Sequence, residues 1–195
     1  MKTLCKRMKA GFTLVELLVV VAIIGILAGL LIPAIIAAQE KGRRVDCMNN
    51  LSQFGKSMMM YAIDHEEAYP SNLTVLAQSY MRDPHSYKCR SDKARTVAGS
   101  VREITAGTAD KYCSYNFVTR DTDGNPVASV SSPTMMLACD KDGSRGSVTA
   151  KGFGGNHSGD GGHALFGDGA VRWVETARWS SNIWDGADIG SVIGY

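Results

Sequence analysis

The sequence predicts an α+β chain: one long N-terminal helix, apolar in its first half and amphipathic in its second, packed on a small antiparallel sheet. Three observations predict it. Residues 17–38 carry no charge and are mostly Leu, Val, Ile and Ala. Beyond them Cys47, Leu51, Phe54, Met58 and Tyr61 recur at spacings of four, three, four and three, an apolar stripe on an otherwise polar helix. The second half of the chain then holds short apolar runs separated by turn residues, which read as strands.

The 22 residues of the apolar run reach about 33 Å at about 1.5 Å per residue, enough to cross a bilayer core. Lys2, Lys6, Arg7 and Lys9 put four positive charges ahead of it, so a formal net charge of +2 leaves −2 on the remainder. A basic tip before an apolar run orients a membrane helix with the tip cytoplasmic. The acidic remainder, with no clustered Lys/Arg face, argues against nucleic-acid binding. A secretory signal peptide fits poorly, because its cleavage site follows the apolar run, whereas the small residue Gly11 precedes it.

Glu16 places one carboxylate in the opening Phe12-Thr13-Leu14-Val15-Glu16. An intramembrane carboxylate costs several kcal/mol unless it has a partner. A cut between Gly11 and Phe12 would create an α-amine about one helical turn from Glu16, on the same chain or on a neighbour. Pairing across an interface makes both charges tolerable and favours association. Pro33 removes a backbone hydrogen bond and is expected to bend or loosen the helix. Gly25 and Gly29 form a small-xxx-small pair that permits close helix approach. The helix is expected to run from Phe12 to about Asp64.

The stretch from Lys9 through Gly11, Phe12 and Glu16 to Ala28 resembles the class III signal of type IV pilins and type II secretion pseudopilins. The resemblance implies a pilin-like fold and a leader at residues 1–11, removed by a prepilin peptidase that then methylates Phe12. It implies a membrane and filament-core helix at 12–38, and a periplasmic domain at 39–195 that includes the second half of the helix. Glu16 would govern assembly, and Pro33 stands where the family commonly has a helix-distorting proline. The implied role is a filament subunit, foremost a pseudopilin of a type II secretion-like system. A type IV pilin or an anchored, non-polymerising periplasmic module are the alternatives. Implied partners are the peptidase, other pilin-like subunits and inner-membrane assembly machinery.

Farther along, a short helix is expected near 73–80 and strands at 112–119, 134–140, 164–167 and 170–174. Asp168-Gly169 reads as a two-residue hairpin turn. Cys47 to Phe54, Tyr69-Pro70, Tyr87 to Asp92, and His157 with Asp168-Gly169 are together similar to pseudopilin-like proteins of planctomycete and verrucomicrobial lineages. Arg90 replaces a proline of their pattern, and the interval from His157 to Asp168 is one residue longer.

Cys47, Cys89, Cys113 and Cys139 allow two disulfides or buried thiols, and connectivity is open. His157, His163 and Asp168 could offer zinc ligands. The five residues between the histidines are Ser158-Gly159-Asp160-Gly161-Gly162, and ordering such a segment is entropically costly. With the cysteines scattered, the expectation is a flexible turn and no zinc. Asp185 and Asp188 are distantly similar to the calcium loop of major pseudopilins, so calcium is the one ion the sequence suggests. The Met58-Met59-Met60 cluster reads as core and surface filler. No Gly-x-Ser-x-Gly elbow, P-loop or dinucleotide fingerprint is present, so nothing points to an enzyme.

Overall fold

The computed structural model describes residues 12–70, 72–105, 107–118, 133–140 and 156–176. The chain forms two compact units, Met1–Gln39 and Glu40–Tyr195, considered separately below. Helix α1, Leu14–Asp64, is 51 residues long and contributes to both.

In the first unit every residue from 12 to 39 is exposed, and α1 is the one described helix long and apolar enough to cross a membrane. The helix runs through Pro33 without a break. At Gly25 and Gly29 an added Cβ would meet nothing within 4 Å. Among the described residues nothing covers this stretch, and its apolar surface is open.

In the second unit α1 buries Cys47, Leu51, Phe54 and Met58, as the stripe predicts, together with Gly55 and Ser57. Phe54 lies at the centre, its ring 5.2 Å from Tyr87, 5.4 Å from Tyr115 and 4.8 Å from Phe117. An added Cβ at Gly55 would stand 3.0 Å from Leu165 Cδ1, so glycine lets the helix lie close to the sheet.

Four antiparallel strands, β1 (Tyr115–Phe117), β2 (Met136–Asp140), β3 (Gly161–Phe166) and β4 (Val171–Glu175), form one sheet in the order β1-β2-β3-β4. All lie within or beside the expected runs. The sheet and the α1 stripe share one core that includes Leu51, Phe54, Tyr115, Phe117, Ala138 and Leu165. Because side chains alternate between faces, the register places Phe117, Ala138, Leu165 and Val171 in one row. The next row on that face is Tyr115, Asp140, His163 and Trp173, where the surface turns from apolar to polar.

The β3–β4 connection differs from the expected two-residue turn. Phe166 N donates to Ala170 O at 3.0 Å and Gly169 N to Phe166 O at 2.9 Å, leaving Gly167, Asp168 and Gly169 as a three-residue loop. Gly169 has φ +78°. That is the loop in which a type I turn is followed by a left-handed residue, for which glycine is best suited. Asp168 stabilises it by accepting from Ala170 N at 2.9 Å and by pairing with Arg172.

Between helix and sheet, residues Leu73–Val75 form an α turn that continues as a wider π turn over Leu76–Tyr80, matching the expected short helix. Asn72 caps it by accepting from Val75 N at 3.2 Å. The Asp92–Arg95 ion pair, 2.8 Å and almost wholly buried, organises the segment after Cys89. Asp92 also accepts from Ala94 N, Arg95 N and Ser114 Oγ, the multiple hydrogen bonding a buried carboxylate requires.

Candidate functional site

Of the predicted site residues that the structure describes, Glu16 lies at the start of α1, Pro33 within it, and His157 and His163 in a buried cluster. At the start of α1, Thr13 and Glu16 form a reciprocal cap. Glu16 Oε2 accepts from Thr13 N at 2.8 Å and from Thr13 Oγ1 at 2.6 Å, and Glu16 N donates to Thr13 Oγ1 at 3.2 Å. This is a capping box. Its sequence signature is Thr-x-x-Glu before an apolar run, here Thr13 to Glu16. Gly11, Asp185 and Asp188 lie outside the described residues.

The buried polar cluster lies where the helix stripe and the polar row of the sheet meet. The stripe that begins at Cys47 extends backward at the same spacing to Arg44 and Glu40. Cys47 is joined to Cys89 by a disulfide, while Cys113 and Cys139 are buried thiols. Of the connectivities the sequence allowed, this one ties α1 to the segment before Asp92.

His157 sits at the centre of the cluster and is fully buried, which corrects the expectation of a flexible turn. Its backbone takes φ +53°, a left-handed conformation uncommon outside glycine. Nδ1 lies 2.8 Å from Glu40 Oε1; a carboxylate can only accept, so Nδ1 carries the proton. Nε2 lies 3.5 Å from Cys89 Sγ and 3.4 Å from Asp140 Oδ2. Ser91 Oγ donates to the same Glu40 oxygen at 2.7 Å.

Asp140 is wholly buried. Its Oδ2 accepts from His163 N at 2.7 Å and lies 3.4 Å from His163 Nδ1. Trp173 closes the cluster, its ring centroid 5.6 Å from His157 and 4.9 Å from His163. The Arg44 guanidinium covers the indole at 4.3 Å, a cation–π contact. It also pairs with Asp160 and reaches the His157 carbonyl at 3.5 Å.

Burial alone would raise the Asp140 carboxyl, but hydrogen bonds and charge from His157 and His163 outweigh it and hold the group below its ordinary value. Burial opposes charge on His157 as well, yet Asp140 and Glu40 on its two nitrogens raise its pKa. Glu40 is lowered, because Ser91 and His157 overcome its partial desolvation. The sequence grouped His157 and His163 with Asp168 as possible ligands. The structure instead groups them with Asp140, and Asp168 stands apart in the hairpin loop. It also gathers two cysteines that looked scattered: the ligand atoms of Cys47, Cys89, Asp140 and His157 all lie within 4.8 Å of one another.

Comparison with known proteins places the chain. Residues 6–32 match the family model described as "Prokaryotic N-terminal methylation motif", and residues 36–90 match "Protein of unknown function (DUF1559)". The "Type IV wide pilus major component PilA4" of Thermus thermophilus is 34% identical over 107 residues, covering 55% of this chain and 72% of the relative. The "Type II secretion system core protein G" of Aeromonas hydrophila is 35% identical over 88 residues, 43% of this chain and 61% of the relative. Its Pseudomonas aeruginosa counterpart is 35% identical over 66 residues, 34% and 46%. The chain thus spans about half the length of those two secretion proteins. No solved structure gives a significant match. A membrane-length apolar helix behind a methylation motif, followed by an α+β domain, joins with the extent of the Thermus match: the chain belongs to the prepilin-type family of type IV pilins and type II secretion pseudopilins.

Proposed function

We propose that this chain is a structural subunit of a pilus-like filament, foremost a pseudopilin of a type II secretion-like system. The observation that carries the reading is the first half of α1, which is apolar, exposed on every side from residue 12 to 39 and headed by a single carboxylate. Such a surface requires lipid before assembly and neighbouring helices after it. A prepilin peptidase would cut after Gly11 and methylate Phe12, with the basic tip cytoplasmic and the domain periplasmic. Glu16 would pair with a Phe12 amine, intramolecularly or on a neighbour, and Pro33 would adapt the helix to the filament core. Other copies of the chain, pilin-like subunits and inner-membrane machinery are the proposed partners.

A type IV pilin is the second reading, favoured by the larger share of the Thermus pilus protein that aligns. Two measurements test the proposal. Intact-mass analysis of membrane-extracted protein is expected to lack residues 1–11 and to carry one added methyl group; retention of Met1 overturns it. Crosslinking through cysteines placed on the 12–38 helix is expected to give ladders of the chain, and their absence under assembling conditions supports a non-polymerising anchored module instead.

A further inference from the structure

We propose that the dithiol form of this domain binds one zinc ion through Cys47, Cys89, Asp140 and His157, and that the ion and the Cys47–Cys89 disulfide exclude one another. The donor set is two thiolates, one imidazole and one carboxylate, all buried, which suits a closed structural zinc site. The spacing fits as well. Zinc bonds of about 2.0–2.3 Å at tetrahedral angles put neighbouring nitrogen and sulfur ligands about 3.6 Å apart, and nitrogen and oxygen about 3.3 Å apart. His157 Nε2 stands 3.5 Å from Cys89 Sγ and 3.4 Å from Asp140 Oδ2. Both distances from His157 Nε2 therefore match edges of a zinc tetrahedron, and breaking the disulfide frees the Cys47 and Cys89 sulfurs to complete the set.

Two further observations point to a ligand. Asp140 Oδ1 is buried without a hydrogen-bond partner among the described residues, a state that buried polar groups rarely tolerate. His157 has its outer nitrogen held by a carboxylate, Glu40, which is how metal-bound histidines are usually fixed in tautomer and direction. Glu40 is thus a positioning residue.

The two states interconvert with balanced chemistry. A partner dithiol, such as that of a thiol–disulfide oxidoreductase, gives two electrons and two protons to the Cys47–Cys89 bond and becomes a disulfide. Zinc then displaces the two thiol protons and any proton on His157 Nε2. Oxidation of the two cysteines by a disulfide-bearing partner returns the bridge and releases the ion. A chain inserted before its disulfide forms would hold the junction of α1, β2 and the His157 turn together with metal in place of the covalent bond.

The test uses the full chain in detergent, oxidised or reduced with a phosphine, equilibrated with zinc and freed of unbound ion. About one zinc per reduced chain and none per oxidised chain is expected. Replacing zinc with cobalt in the reduced wild-type chain is expected to give thiolate-to-metal charge-transfer absorption, a readout that needs no variant to fold. Glu40→Gln is expected to weaken zinc binding about 10–100-fold. A reduced chain without zinc, cobalt lacking the charge-transfer band, or zinc retained in the Cys47→Ser/Cys89→Ser chain would each overturn the proposal.

Discussion

Glu40 and His157 are joined by a 2.8 Å hydrogen bond across 117 residues of sequence. That contact fastens the first turn of the domain half of α1 to the turn that leads into β3. Because Asp140 approaches the other imidazole nitrogen, His157 bridges two carboxylates from different elements. The stability of this junction follows from its protonation states.

The pH dependence has two limbs, expected for the oxidised, metal-free protein. His157 is raised above its ordinary 6.5, so its contribution is complete below pH 6.5 and is lost as pH rises through its folded-state value. Asp140 and Glu40 are lowered from their ordinary 3.8 and 4.5. Their contributions are present above those values and are lost as pH falls through the depressed ones. Thermal melts are expected to peak between about pH 4.5 and 6.5, and His157→Gln is expected to flatten the alkaline limb. A variant that keeps the alkaline decline would assign it to another group.

Glu16 serves two possible masters, its own helix cap and a neighbouring amine, and two substitutions separate them. Glu16→Ala removes the cap and the charge, whereas Glu16→Gln keeps an acceptor for Thr13 and removes only the charge. A lost cap is worth about 1 kcal/mol; an amine left without its partner in hydrocarbon costs about 3–5 kcal/mol. Both variants are expected to be processed at Gly11 and to assemble poorly. Normal filament yield from Glu16→Gln would leave capping as the whole of its role.

Phe54 tests the helix–sheet core. It is fully buried against three aromatic rings, and Phe54→Ala is expected to cost about 3–5 kcal/mol in chemical denaturation. Gly55→Ala sets overpacking against Leu165, about 1–3 kcal/mol, against a gain of about 1 kcal/mol in helix propensity. Its net effect is expected to be the smaller. The reverse order would move the core away from Phe54.

The Cys47–Cys89 bridge closes a sequence separation of 42 residues. Chain-entropy arguments give about 4 kcal/mol for a loop of that size. Reduction in the presence of a chelator, or the Cys47→Ser/Cys89→Ser change, is expected to lower the denaturant midpoint and to steepen the slope, because the released unfolded chain exposes more surface. An unchanged midpoint would mean that the bridge constrains little beyond what packing already does.

Helix α1 was legible in the sequence. Its membrane length and the Cys47-to-Tyr61 stripe are local patterns, and local periodicity reports which face of a helix is buried. The short strands were legible for the same reason. Glu40 and Arg44 were nearly so, since both continue the stripe backward and a charged residue on a buried stripe asks for a partner.

Tertiary structure alone decided the cluster. Nothing local distinguishes His157, in a glycine-rich segment, from a surface turn; only the Glu40 and Asp140 carboxylates, distant in sequence, make burying an imidazole there favourable. The same holds for the cysteines. Their pairing depends on which segments the sheet register and the α1 stripe bring to one place, and short-range spacing carries no record of that. Burial penalises an isolated charge and rewards one with partners, so the ionic centre of this domain exists only once chains of contact far apart in sequence have closed.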